Sequence, residues 1–148
     1  HPSQDTSIFL TTWDDILPVG AEEAALLQKW QRIREIRSWA QKELETLRQQ
    51  GEIGSSQQAE IVLTAPGSDY ALLATLQDDL RFVLITSSAQ LQRGTQNDLL
   101  IQVKASSQVK CERCWHWRAD VGQQAEHPSL CSRCVANLYG AGEARQFA

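Results

Sequence analysis

A chain of 148 residues, 42% hydrophobic and 22% charged, has the make-up of one modest globular domain, or of two small ones if a metal holds the smaller. Its longest apolar run falls far short of the ~20 residues a membrane helix needs, and no signal peptide is visible. A formal net charge of −4 argues against a free-standing nucleic-acid binder, which usually carries a basic footprint.

The chain starts at His1 and holds no methionine, so it reads as part of a longer protein. Residues 1–18 carry Pro2 and Pro18 around an alternating stretch from Ser7 to Thr12, which predicts an extended segment or edge strand, with Trp13 packing onto the next element of the chain. Residues 21–50 predict a long helix. Glu22 and Glu23 suit its positive N-terminal end, and Gly51 is placed to stop it. Leu26, Trp30, Ile33, Ala40, Leu44 and Leu47 form one apolar stripe. Arg37 falls inside that stripe, its stem packed on the core and its head reaching water, whereas Trp39 lies on the opposite face. Between residues 29 and 48 six basic side chains face three acidic ones, a local basic patch on an acidic chain. Such a patch suits one module of a larger RNA-binding enzyme.

A turn at 53–56 leads to residues 58–64, where Ala59, Ile61 and Leu63 alternate with Glu60, Val62 and Thr64 as a half-buried strand. Pro66 and Gly67 break it, and Ser68 or Asp69 can cap a helix carrying Leu72, Leu73, Leu76 and Leu80. The continuous apolar run from Phe82 to Ile85 predicts a strand buried on both faces. A polar connector over 87–98, a strand at 99–103 and a linker at 104–110 complete this part. The expected fold is α+β, with the long helix packed on a small sheet.

All four cysteines stand in two C-x-x-C pairs, Cys111 with Cys114 and Cys131 with Cys134, sixteen residues apart. That spacing is a zinc-ribbon pattern: each knuckle brings two sulfurs to one ion at about 2.3 Å, and a hairpin folds the second onto the first. Two disulfides would need an oxidising compartment, and a thioredoxin-like reading leaves one pair unexplained. Paired cysteines fit a reducing cytoplasm. His116 and His127 are superfluous as ligands, because four thiolates close the tetrahedron and leave no open position for catalysis. One structural Zn2+ is expected. Trp115 and Trp117 should share a face of the first hairpin strand, with a turn at Val121 and Gly122, and residues 134–139 should form a short helix ended by Gly140. Arg113 and Arg133 flank the thiolates, either balancing their charge or contacting phosphate.

The segments 110–115, 120–122, 126–128, 131–135 and 142–148 resemble the C-terminal zinc module of bacterial-type isoleucyl-tRNA synthetases. Trp30, Arg37, Arg48, Ile53, Gly54 and residues 80–86 are similar to that family as well, so the resemblance runs from about Ser7 to Ala148. The same ribbon type occurs in DNA glycosylases that excise oxidised purines, and a stand-alone ribbon adaptor binding protein is a third reading. His1, Pro2 and Ser3 do not supply the N-terminal proline and glutamate that the glycosylases use. The polar connector near 92–98 is shorter than in some members, and 107–109 lacks a glycine common before the first knuckle, which bears on the ribbon's orientation.

The resemblance implies a parent isoleucine–tRNA ligase that joins isoleucine to its tRNA through an adenylate made from ATP. The His-Ile-Gly-His and Lys-Met-Ser-Lys-Ser signatures of its nucleotide site do not occur here, so the chemistry and the ATP belong to a catalytic domain outside this chain. Residues 1–106 would form an anticodon-side domain and 107–148 the zinc-ribbon domain. Together they would bind and position isoleucine tRNA, as part of a cytoplasmic monomer without membrane contact. With the metal saturated, RNA contact falls to what the ribbon displays, namely Arg113, Trp115, Trp117, Arg118 and Arg133.

Overall fold

The computed structural model describes residues 20–95 and 97–143. The extended segment expected at 1–18, with Trp13, and the closing residues 144–148 lie outside the described residues.

Helix α1 (Ala21–Gln49) contains no glycine or proline and is rich in alanine, leucine, glutamate, glutamine and arginine, all strong helix formers. Its end is a paired-bond cap. The Glu52 amide donates to the Leu47 carbonyl at 3.0 Å and the Gly51 amide to the Arg48 carbonyl at 3.0 Å, with Gly51 at φ +76° where other residues would be strained. The buried stripe is Ile33, Ile36, Ala40 and Leu44. Ile36, at 0% exposure, belongs to it although the sequence stripe passed it over, and Leu26, expected inside, is 50% exposed. Arg37 is half-buried as its place in the stripe implied, but its head does not wholly reach water, since Nε is buried without a hydrogen-bond partner.

Three strands form the sheet in the order β2–β1–β3: β1 (Ala59–Ala65), β2 (Ser88–Arg93) and β3 (Leu100–Ala105). β1 runs parallel to β2 and antiparallel to β3. The period of two in β1 is strict: Ala59, Ile61, Leu63 and Ala65 are all buried, and the residues between them are half-buried. Ile61, Leu63 and Ala65 meet Ile33, Ile36 and Ala40 from α1, and Leu73, Leu76, Leu80 and Leu84 from the crossover between β1 and β2. One helix-covered face thus holds the main core. A second small cluster, Leu44, Ile53 and Ala59, fastens the end of α1 to the start of β1.

The crossover differs from its sequence reading. It consists of α2 (Gly67–Ala74), a 3-10 turn at Gln77–Asp79 and α3 (Leu80–Leu84). The apolar run at 82–85 is therefore helix and not strand: Leu80 and Leu84, four residues apart, face the core, and Ile85 ends the helix in a left-handed conformation at φ +59°. Neither Ser68 nor Asp69 caps α2, which begins after Pro66 without a side-chain cap. Asp69 instead turns to Arg32. The polar stretch expected as a connector supplies β2, whose core face needs only Ala89 and Leu91. Lys104 and Ala105 extend β3 and do not belong to a linker.

Beyond the sheet, β4 (Val109–Lys110) pairs antiparallel with β5 (Trp117–Arg118), and α4 (Ser132–Tyr139) closes the described chain. No helix among the described residues is long and apolar enough to cross a membrane.

Candidate metal centre and the surface around it

The two strands β4 and β5 bracket the first knuckle. The Cys111 amide donates to the His116 carbonyl at 2.9 Å and the Trp115 amide to the Cys111 carbonyl at 2.9 Å, which curls 111–115 into a tight loop. The second knuckle is the start of α4, with Cys131 at its N-cap position and the Val135 amide donating to the Cys131 carbonyl at 3.1 Å. A bond from the Glu112 amide to the Ser129 carbonyl, 3.1 Å, holds the knuckles face to face.

The result brings all four predicted cysteines together, their Sγ atoms within 4.8 Å of one another. Cys111, Cys131 and Cys134 are buried, and Cys114 is partly so. A tetrahedron with bonds of about 2.3 Å has edges of about 3.8 Å, and Cys114 Sγ lies 3.7 Å from Cys131 Sγ. The donor set fits one tetrahedral thiophilic ion. Burial alone would push the Cys111 thiol up, but amide hydrogen bonds from the two knuckles outweigh it and bring it down to about 6. Burial pushes Cys131 up, with the adjacent Cys134 thiol adding to it, and Cys114 is also raised by burial. Four thiols so close cannot all ionise without a cation among them, so the cluster's charge logic calls for a divalent ion.

Neither histidine joins the cluster. His116 is buried, with Nδ1 3.1 Å from the Cys114 carbonyl and its ring edge-on to Phe82 at 5.7 Å. Burial holds its pKa below the usual value, and the neighbouring arginines add to this. His127 stacks on Tyr139 with ring centroids 4.0 Å apart.

The five side chains singled out in the sequence divide by environment. Arg113 is exposed and places Nη1 3.6 Å from Cys134 Sγ. Trp115 is 58% exposed, in a left-handed backbone at φ +62°, and so sits in the knuckle and not in the hairpin strand. Trp117 is in β5 and half-buried. The two rings nevertheless converge, because Lys110 Nζ lies 5.1 Å from one and 5.3 Å from the other. Arg118 Nε donates to Asp120 Oδ1 at 3.2 Å, and Asp120 Oδ2 accepts from the Ser132 amide at 3.1 Å, so this carboxylate serves the N-terminus of α4. Burial raises the Asp120 carboxyl, yet the Arg118 and Ser132 bonds bring it below the usual range. Arg133 turns inward, donating to Glu143 at 2.6 Å and lying 4.9 Å over the Phe82 ring.

Sequence reasoning missed the residues that seat the ribbon on the sheet. Ser87, 1% exposed, accepts from the Trp117 amide at 2.6 Å and donates to the Gln57 carbonyl. Phe82 lies between Arg81, at 4.7 Å, and Arg133. A serine after an apolar run carries no pattern that would mark it.

The family described as "Zinc finger found in FPG and IleRS" matches residues 110–137. Relatives named isoleucine--tRNA ligase match over nearly the whole chain. The one from Nitrosomonas europaea is 52% identical over 150 residues, covering 99% of this chain and 16% of the relative. That from Ralstonia pickettii is 50% identical over 149 residues, covering 100% and 16%. In Bordetella pertussis the match is 55% identical over 129 residues, covering 87% and 13%. The chain thus spans about one sixth of the length of the curated relatives it matches. The ribbon alone would serve either of two enzyme types, but the α+β layer and ribbon match the ligases together, and the chain belongs to the isoleucyl-tRNA synthetases as the region that carries their zinc finger.

Proposed function

We propose that this region binds isoleucine tRNA on the anticodon side and positions it for ATP-dependent aminoacylation by a catalytic domain outside the chain. The ribbon, residues 107–148, forms one module on the anticodon-side body of residues 1–106. It carries one structural Zn2+ on Cys111, Cys114, Cys131 and Cys134, which supplies folding energy and no chemistry. The parent works as a monomer in the cytoplasm.

One observation supports the RNA reading above the rest. Trp115 is 58% exposed and stands at φ +62°, a backbone where a large L-residue costs about 1–3 kcal/mol and glycine costs little. A bulky ring that buries little and strains its own backbone does not serve the fold. It offers a stacking platform for an unpaired base, flanked by Lys110 and Arg113 for phosphate. Arg118 would contribute from the neighbouring strand. Arg133, held by Glu143, would act at most on the shape of this surface.

The test is Trp115→Gly in the full synthetase. Relieving the left-handed strain should leave zinc content and melting temperature intact, while isoleucine tRNA binding weakens about tenfold and isoleucine activation is unchanged. Unaltered tRNA affinity would remove Trp115 from the interface and take with it the observation on which this reading stands.

A further inference from the structure

The helices cover one face of the sheet, and the other is open among the described residues. Glu60, Val62 and Thr64 of β1 point there. Their register partners are Ser88, Gln90 and Gln92 on β2, and Lys104, Gln102 and Leu100 on β3. None of these belongs to the core, and Gln90, Gln92, Leu100 and Gln102 are exposed. The ribbon meets the sheet through Ser87, beside Glu60, Ser88 and Gln90 of this face. A cleft of about 370 Å³ opens there. Ser88 and Gln90 of β2, Gln108, and Trp117 with Arg118 of β5 line it.

The lining is polar and includes three charged side chains, Glu60, Arg118 and Asp120. Two carboxylates reach it, but both already hold donors. Glu60 accepts from Ser106 Oγ at 2.7 Å and pairs with Lys104 Nζ at 3.1 Å. Asp120 is held by Arg118 and by the Ser132 amide. The Ser87 hydroxyl is engaged on both sides. What is left to meet a ligand is a half-buried indole, two primary amides that each donate and accept, and the Ser88 hydroxyl. That set matches a flat, neutral molecule with donors and acceptors on its edge. The volume lies at the low end of the ~300–1,000 Å³ typical of small-ligand pockets, room for one nucleoside and not for a duplex. Arg118 lines the cleft, Lys104, with its side chain 70% exposed, pairs with Glu60 of the lining, and Lys110 stands by the Trp117 ring; these cations could meet flanking phosphates.

We propose that this cleft receives one unpaired nucleoside of the bound RNA, its base against Trp117 and its edge read by Gln90 and Gln108. The proposal rests on the RNA-binding reading above; Trp117 shares Lys110 with the exposed Trp115, and what sets the cleft apart is the pair of amides that line it. A base read by amides leaves the phosphate count alone, which sets its signature apart from that of the ribbon's cations.

The experiment measures isoleucine tRNA binding by the full synthetase across salt concentrations. Gln90→Ala with Gln108→Ala should weaken binding about five- to tenfold, with the slope of log Kd against log salt unchanged and zinc content intact. Arg113→Ala, by contrast, should lower that slope by about one. Gln90→Trp, which fills the cleft, should weaken binding at least as much. Bound tRNA should slow maleimide labelling of Gln90→Cys. Full affinity in the double and filled variants, with labelling unaffected by tRNA, overturns the proposal. If Trp115→Gly then still loses tRNA affinity, the cleft falls and the general RNA reading stands; if it does not, both fall. Variants that lower the melting temperature of the synthetase while keeping tRNA affinity would mean that protein fills the cleft, and that too overturns the proposal.

Discussion

Arg32 grips Asp69 with two parallel hydrogen bonds, Nε to Oδ1 at 3.0 Å and Nη2 to Oδ2 at 2.7 Å, across 37 positions of sequence. This pair fixes α1 against α2. Its two ends differ in burial, the Arg32 side chain being 37% exposed and that of Asp69 8%. Arg32 also leans on Glu35 at 2.9 Å and lies 4.9 Å from the Trp39 ring, which explains an aromatic on the outer helix face.

The asymmetry sets the mutational outcome. Arg32→Ala leaves a buried carboxylate without its partner and should cost about 2–3 kcal/mol. Asp69→Asn keeps one acceptor and leaves a cation that can still reach water, and should cost about 1 kcal/mol. Urea denaturation of the two variants at neutral pH measures the difference, and equal losses would contradict it.

The metal centre gives a second prediction. Structural zinc in small ribbons contributes apparent binding energies of about 10–16 kcal/mol, and among the described residues the ribbon's buried cluster is its cysteines with Val121 and Leu130 packed against them. Chelation, or Cys111→Ser, should abolish the single bound zinc and strip residues 110–139 of hydrogen-exchange protection. Amides of β1 and the middle of α1 should stay protected, because their core contains no cysteine. Protected α4 amides in a metal-free sample would refute this.

Ile36 sits at 0% exposure between α1 and the sheet. Truncation to alanine should cost about 2–4 kcal/mol, whereas Leu26→Ala, at 50% exposure, should cost under about 1 kcal/mol. Thermal melting of both variants decides whether the stripe runs as described.

Glu60 supplies the pH dependence. Burial alone would raise its carboxyl, but Ser106 and Lys104 together hold it below the usual carboxylate range. The folded state therefore binds its proton at lower pH than the unfolded chain does. Its stabilisation is full above the ordinary carboxylate value of about 4.3 and is lost as pH falls through the depressed one. Glu60→Gln should cost about 0.5–1 kcal/mol at pH 7, a deficit that shrinks as pH falls below the ordinary carboxylate value. A deficit that persists undiminished at pH 3 would rule out this origin.

Legibility in the sequence tracked the strength of local constraint. Cys111, Cys114, Cys131 and Cys134 could be placed because ligand spacing is a rule about one ion. The end of α1 could be placed because Gly51 meets a conformational need. Ala59, Ile61 and Leu63 showed their period of two because the opposite face is polar. The run at 82–85 failed, since a short apolar stretch has no period, and only the separation of Leu80 from Leu84 tells helix from strand. β2 was invisible because an edge strand needs just two apolar residues, Ala89 and Leu91, on a covered face. Asp69 was read as a local cap when a partner 37 residues away had the stronger claim. The ribbon's seat on Ser87 and Phe82 is wholly tertiary, and nothing near either residue announces it.

The order of strands across the sheet has a consequence for synthesis. β1 lies in the centre, yet both of its neighbours come later in the chain, so it waits unpaired until residue 93 and stays half-paired until residue 105. Ile33, Ile36 and Ala40 have no complete surface to bury against in that interval. As the chain leaves the ribosome, α1 therefore carries a bare apolar stripe through about sixty further residues of translation, about 3–12 s at ordinary rates. The first zinc knuckle emerges six residues after β3 ends. The second knuckle, Cys131 with Cys134, follows only later, so the sheet closes before the metal site is complete, and a nascent chain arrested before residue 105 should be a strong substrate for chaperones.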